Sequence, residues 1–380
     1  MTNRKKFGLI FTHYENWTGG TYYIMNLVHA LNTLLDEKKP IIILFCNSRK
    51  EFKYLVSETN YPHILFEKLP KQKTINSIRV LNAISKMIFK KNIFLRQFKR
   101  EIDLIFPNPR GIFFEKVAES KKYFWISDFQ EEYFPYFFDS TELAHRKHVN
   151  INISLFSEKL ILSSLAAKKD FVKFYPFART SVSILNFAVT HPQYNHINIE
   201  ELKQKYKIPK TYFFSPNQFW IHKNHITVIK AIELLKNKGK EVIVLFSGKE
   251  YDHRDAKYAD GLKNYVKDND LSSTIRFLGF IDRKEQLQIM KHANAIIQPS
   301  FFEGWSTVIE DAKAMNQLVI ASHLDVHIEQ LGASGLFFDP NCPQDLADNI
   351  EKAIDSTPRF DYNYSEKIKE FGRKFYEFAE

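Results

Sequence analysis

AIIQPSFFEGWSTVIEDAKAM, residues 295–315, decides the architecture. Ala295 to Ile297 is an apolar run that breaks into Gln298-Pro299-Ser300, as a strand buried on both faces gives way to a polar loop. Thr307 to Met315 follows with helical spacing, and Ser306 or Thr307 is the residue type that caps a helix N-terminus. Gly304 frees the backbone between them, and Trp305 follows it. Glu303 stands just before the helix, Asp311 lies one turn past Thr307, and Glu310 is beside it. Two carboxylates at that spacing suit sugar and ribose hydroxyls. They equally suit simple compensation of the helix dipole, worth about 0.3–1 kcal/mol.

The same strand–loop–helix unit recurs outward from this stretch. Tyr212–Phe214, Val242–Phe246, Thr274–Phe277, Leu318–Ala321 and Leu336–Phe338 read as further strands, separated by helical segments such as Ile226–Leu235. Before them, Phe7–Thr12, Ile41–Cys46, Leu104–Phe106, Tyr123–Ile126 and Lys159–Leu162 form an earlier series. Between the series, Asn186–Ile199 carries Pro192, two His and three Asn, and reads as a linker. Alternating strands and helices imply parallel sheets with right-handed crossovers. The expected fold is α/β, with two Rossmann-like doubly wound domains facing across a cleft. The first spans 1–188 and the second 189–364, and a helix at 365–380 has no strand after it. A ligand then sits at the carboxyl ends of the strands.

Composition narrows the class. Hydrophobic residues at 44% and charged residues at 26% exclude a disordered or collagen-like chain. There is no apolar run long enough for a transmembrane helix, and the short run Phe7–Phe11 argues against a signal peptide. Two cysteines, Cys46 and Cys342, make neither a disulfide framework nor a zinc site, which suits a reducing cytoplasm.

Charge is unevenly spread. Residues 1–190 hold 29 Lys and Arg against 17 Asp and Glu, whereas residues 191–380 hold 25 against 27. A one-sided positive field suits an anionic partner. Lys68 to Arg100 contains ten basic residues and no acid, with Ile75, Ile78, Leu81, Ile84, Met87 and Ile88 at helical spacing. Such a helix either packs its apolar stripe in a core or lies on an anionic bilayer, each cation near the surface adding about 1 kcal/mol. No helix-turn-helix, zinc-finger or RNP-like signature accompanies the charge, so nucleic acid is not expected.

Three other stretches carry chemistry. Gly19-Gly20 lies between the first strand and a helical pattern, where glycine admits a phosphate to a helix N-terminus or makes a plain tight turn. In Ser215–His225, which follows a strand and precedes a helix, Lys223 is placed to pair with an anion or to be a solvated lysine. Asp268-Asn269-Asp270 has a DxD form but ends a helical stretch, so it reads as a loop. His222 and His225 lack a third ligand nearby, and no metal site is expected.

Together these residues resemble family 4 glycosyltransferases, which have the GT-B fold, in a subgroup similar to surface-polysaccharide enzymes. In the family's E-x7-E motif, Glu303 matches the first acid and Asp311 the second, one methylene shorter. Asn217 to Lys223 is similar to the family's diphosphate grip: Lys223 matches its lysine, and Gln218 stands where arginine is usual. Gly19-Gly20 matches the N-terminal glycine pair. Asp128-Phe129-Gln130-Glu131 resembles an N-domain loop in which Glu131 replaces a histidine.

The resemblance implies transfer of a sugar, with retention, from a nucleoside-diphosphate sugar to a glycan or lipid-linked acceptor. Glu303 and Lys223 would be catalytic. Gly19, Gly20, Asn217, Gln218, Lys223, Gly304, Trp305, Ser306, Thr307, Glu310 and Asp311 would hold the donor. His13, Asp128 and Glu131 would face the acceptor. No cofactor and no metal are implied. The expected setting is cytoplasmic, with peripheral attachment to the inner face of the membrane through residues 68–100 left open. A non-catalytic partner subunit and a nucleotide-sugar epimerase of the same fold remain as alternatives.

Overall fold

A computed structural model describes residues 4–12, 18–69, 81, 84–85, 87–88, 101–108, 117–252, 254–355 and 363–380. His13 and most of the basic stretch lie outside the described residues.

The first half runs β1 (Lys6–Ile10), α1 (Thr18–Asn32), β2 (Ile41–Cys46), α2 (Arg49–Thr59), β3 (Ile64–Lys68), β4 (Leu104–Phe106) and β5 (Tyr123–Trp125). It continues through α3 (Gln130–Tyr133), α4 (Ser140–Phe156), β6 (Lys159–Leu162), α5 (Leu165–Phe174) and β7 (Ser181–Ile184). The second half runs α6 (Ile199–Tyr206), β8 (Phe213–Ser215), α7 (His225–Asn237), β9 (Val244–Phe246), α8 (Tyr258–Asp268), β10 (Ile275–Phe277) and α9 (Arg283–Lys291). It ends with β11 (Ile296–Gln298), α10 (Thr307–Ala314), β12 (Val319–Ser322), α11 (Asp325–Leu331), β13 (Leu336–Phe338), α12 (Pro343–Asp355) and α13 (Tyr364–Glu377).

Every ladder is parallel. In the first half the order is β3-β2-β1-β4, with a separate β5-β6-β7 sheet. A parallel bridge between Ile105 and Lys122, and the Asn108 amide on the Tyr123 carbonyl at 2.6 Å, join the two. The second sheet is ordered β10-β9-β8-β11-β12-β13. In each half the strand order reverses beside the first strand, β1 or β8. Those reversals open crevices at the carboxyl ends of β1 and β4, and of β8 and β11.

The central strands are buried on both faces, which is why IIILFC of β2 and VIAS of β12 read as unbroken apolar or small runs. Helices cover the faces with apolar stripes: Ile24, Leu27, Val28 and Leu31 of α1 are all buried. The last helix belongs to the first core. Phe371, Phe375 and Ala379 are buried among Phe7, Leu27 and Ala30, and the Phe7 and Phe375 rings meet edge-on at 5.7 Å. Gly372 allows this approach, because a Cβ there would sit 2.3 Å from the Ala30 carbonyl oxygen.

The segment read as a linker is tied down instead. Phe187, Ala188 and Val189 are buried in the first core. The Thr190 amide donates to Asn26 Oδ1 and the Val189 amide to the Tyr364 hydroxyl. Its polar residues bond to partners far away in the sequence, such as Asn186 to Glu329 and His191 to Asp311, which a composition-based reading takes for solvent exposure.

Leu81, Ile84, Met87 and Ile88 have helical backbone and exposed side chains, so these four residues of the basic stretch are not packed in a core.

Candidate functional site

The crevice at β8 and β11 gathers most of the residues singled out above. Two loops line it, one after each strand, and they are tied together. The Phe301 amide donates to the His222 carbonyl at 2.8 Å. Asn224 adopts a left-handed conformation, φ 53°, and its side-chain amide donates to the carbonyls of Pro299 and Pro340. Asn217 is buried and donates to Ser215 Oγ at 3.2 Å.

These ties bring Lys223 Nζ to 2.5 Å from Glu303 Oε1. The same Oε1 accepts from Gln298 Nε2 and from Ser300 Oγ, each at 2.7 Å. Oε2 takes no hydrogen bond among the described residues. Burial alone would raise the Glu303 pKa, but the Lys223 charge and hydrogen bonds from Lys223 and Ser300 outweigh it and hold the carboxyl below its usual range. Glu303 is therefore an anchored carboxylate with one oxygen left for a ligand.

His327, at the start of α11, was not singled out from sequence. It is fully buried, and its Nδ1 lies 2.9 Å from the Ser322 carbonyl, which makes Nδ1 the protonated nitrogen. Burial lowers its pKa to about 4, so the ring is neutral at physiological pH. Its Nε2 is a buried acceptor with no partner. Nothing in the sequence marks this histidine; only the neighbouring of β11 and β12 brings it to Glu303.

Several expected donor-binding residues are engaged elsewhere. Gln218 Oε1 accepts the Lys249 amide at 3.0 Å, fastening the loop after β9. Asp311 is buried, and its Oδ1 meets Arg283 Nη2 at 2.5 Å and His191 Nε2 at 3.0 Å. Burial opposes ionisation of Asp311, and the Arg283 and His191 contacts overcome it, so its pKa is lowered. Glu310 binds Lys313, Gln330 and the Tyr364 hydroxyl, a network running to α13. Ser306 caps α10 by accepting the Ile309 amide, and its own amide is taken by Gln330 Oε1 at 2.9 Å. Thr307 opens α10, and Gly19 and Gly20 lie within the first turn of α1 rather than in a turn before it. Such first-turn amides have no intrahelical partner.

Gly304 and Trp305 join the halves. A Cβ on Gly304 would sit 2.1 Å from the Ser127 carbonyl oxygen and 3.0 Å from Asp128 Cβ. Trp305 Nε1 donates to the Phe187 carbonyl at 3.1 Å. Asp128 therefore lies just across from the Glu303 loop, and Glu131 follows it in α3. Asp128 Oδ1 accepts the Gln130 amide at 3.2 Å. Glu131 is buried, and its Oε1 accepts Asn150 Nδ2 at 2.7 Å. Burial lifts its pKa to about 7; Asp128 adds to the rise, while its own backbone amide and Arg146 oppose it.

Among the described residues, no group of three or more His, Cys, Asp or Glu is arranged to hold a metal ion, and no helix is long and apolar enough to cross a membrane. Asp268-Asn269-Asp270 ends α8, and Asp270 is exposed and paired with Lys236.

Residues 198–375 match the family described as Glycosyl transferases group 1. The O-antigen chain mannosyltransferase RfbU of Salmonella typhimurium is 28% identical over 204 residues, 53% of this chain and 53% of that protein. The chain thus matches about half the length of that curated relative. A glycosyltransferase from Rickettsia africae superposes with a TM-score of 0.62 at 14% identity, covering 99% of this chain and 93% of that one. An E. coli structure titled trehalose-6-phosphate and bound with UDP-2-fluoro glucose gives 0.64 at 12%, covering 99% of both. These likenesses and the parallel sheets flanked by helices show the GT-B fold. The matches bear out the resemblance to glycosyltransferases over residues 198–375.

Proposed function

We propose that this chain is a retaining glycosyltransferase of surface-polysaccharide assembly, moving a sugar from a nucleoside-diphosphate sugar to a glycan or lipid-linked acceptor. The observation that carries the reading is the Lys223–Glu303 pair at the carboxyl ends of β8 and β11, the crevice where doubly wound sheets bind ligands. RfbU is named a mannosyltransferase, and the E. coli neighbour holds a UDP-sugar in the same fold.

In this reading an acceptor oxygen forms a bond to the anomeric carbon as the bond to the diphosphate breaks. The acceptor proton passes to an oxygen of the leaving diphosphate. Lys223 and the first-turn amides of α1 and α10 offset the charge that develops there. Glu303 Oε2 and His327 Nε2 accept hydroxyl hydrogens of the donor sugar, fixing its orientation. Protein donors fill the role that a metal plays in other sugar transferases, and no cofactor is invoked. Asp128 and Glu131 face the acceptor, and closure of the halves excludes water.

Peripheral attachment to an anionic membrane belongs to the same proposal. It is supported by the exposed Leu81, Ile84, Met87 and Ile88 within the basic stretch. The reading places the protein in the cytoplasm, at the inner face of the membrane. The engagement of Gln218 and Asp311 favours one second reading, a donor-binding partner subunit without turnover.

A thermal-shift panel of UDP, GDP, TDP, ADP and CMP tests the donor site, since a ligand that binds only the folded state raises the midpoint. One diphosphate is expected to raise it, with or without EDTA, and Lys223→Ala is expected to abolish the rise. With the matching donor, Lys223→Ala should lower kcat by about 10²–10³-fold. Binding without turnover on any acceptor would move the protein to the second reading, and no shift at all would sink both.

A further inference from the structure

Beside the donor crevice, the first half forms a half-open pocket of about 290 Å³. Its walls come from the end of β5, the loop after it, and one face of α4. Trp125, Asp128, Glu131, His145, Arg146 and Asn150 contribute its polar and aromatic lining. The volume lies at the low end of small-molecule pockets, about 300–1,000 Å³. It suits one ring-sized group rather than an extended chain.

Glu131 is the reason to read this cavity as a site. It is 1% exposed, and its Oε2 accepts no hydrogen bond from another residue. The nearest cation, Arg146 Nη1, stands 3.7 Å away and is shared with Glu142. A buried carboxylate oxygen left unbonded is costly, and a native structure that retains one beside a cavity has a use for it. Asn150, by contrast, fully engages Oε1, so the carboxylate is oriented and only one of its oxygens is left over.

The charges select the ligand. Three carboxyl groups, Asp128, Glu131 and Glu142, line a space with one guanidinium, Arg146, and Glu131 carries only part of its charge at neutral pH. An incoming phosphate or uronate meets net repulsion there, although the half of the chain that holds the cavity is strongly basic. A neutral polyol meets oriented acceptors for its hydroxyl hydrogens and, in Arg146 and Asn150, donors for its oxygens. Trp125 lends an aromatic wall, half-buried and stacked on Tyr23 at 4.6 Å.

We infer that this cavity seats a single neutral pyranose, the acceptor sugar ring, held by Glu131 Oε2 and Arg146, and that any anionic part of the acceptor lies outside it. The inference rests on the glycosyltransferase reading only for the word acceptor. The mouth is placed for that role, because Asp128 lines the cavity and also abuts Gly304, next to Glu303.

The test is saturation-transfer NMR on the full chain, with methyl glycosides of mannose, glucose, galactose, N-acetylglucosamine and glucuronic acid at millimolar concentration. At least one neutral glycoside should bind and the glucuronide should not. At pH 8, where Glu131 is mostly ionised, Glu131→Gln keeps the shape and should weaken binding roughly tenfold, the scale of one hydrogen bond to a charged group. His145→Trp changes an exposed lining residue, plugs the cavity without entering the core, and should remove binding. Lys223→Ala should leave it intact. Equal binding of the glucuronide, failure of every neutral glycoside, or binding that survives both pocket variants would each overturn the inference. Failure of the nucleotide panel with the sugar result standing would sink the transferase reading and leave the pyranose site in place.

Discussion

Glu131 and Glu303 are both buried carboxyls, and their surroundings drive them in opposite directions. Glu303 has Lys223 on one oxygen and is held ionised. Its contribution is present above the unfolded-state pKa and is lost as pH falls through the lowered folded value. Glu131 has an amide on one oxygen and a distant, shared guanidinium near the other, and protonates near pH 7. Between its unfolded value, about 4.5, and 7 the folded state binds more protons than the unfolded one. Stability therefore falls as pH rises through that window and levels off above it. Asp128 and Glu132 strengthen the effect and Arg146 weakens it. Glu131→Gln removes the titration, so its melting midpoint relative to the parent should be higher at pH 8 than at pH 5. A difference that stays constant between the two pH values would show that Glu131 does not titrate in this range.

Among the elements, α5 is completed by the other half of the molecule. Ser164 accepts the Ala167 amide, and the two amides before it, Leu165 and Ala166, both donate to the Glu329 carboxylate of α11, at 2.9 and 3.1 Å. Asn186 Nδ2 joins the same carboxylate at 3.1 Å. Glu329→Ala should lower stability by about 1 kcal/mol, the scale of a lost helix cap, seen as a lower urea midpoint with unchanged slope. An unchanged midpoint would mean that water replaces the carboxylate at no cost. Such cross-half bonds mark the limit of what sequence shows. Strands buried on both faces were legible because their apolar runs are unbroken, and Glu303 and Lys223 stood out because each lies in a loop between a strand and a helix. β3 and β7 were not read, because they are the outer strands of the first half and carry polar residues such as Glu67 and Ser183. The partners of the site residues were not legible either. Arg283 and His191 reach Asp311 from 28 and 120 residues away, and Asn150 reaches Glu131 from 19. No periodicity encodes a meeting that the fold arranges.

At the scale of the whole molecule, the halves are fastened by backbone contact at Gly304 and Ser127, by Trp305 on Phe187, and by α13 laid against α1. The last of these carries most apolar burial. Phe375→Ala should cost about 3–5 kcal/mol, the usual range for emptying a buried aromatic site. The loss should appear as earlier melting of the first half, with nucleotide still protecting the second. A single transition for both halves, shifted as one, would show that they unfold as a unit. The position of α13 also imposes an order on the protein's birth. Phe7 and Ala30 leave the ribosome early, whereas Phe371 and Phe375, which close over them, are made after the entire second half. At roughly 5–20 residues per second the wait between Val189 and Phe375 is on the order of 10–40 s. For that interval the nascent first half shows a greasy furrow along α1 to everything in its surroundings. A chaperone that meets nascent chains has its best opportunity there, and pausing of translation within the second half would lengthen it.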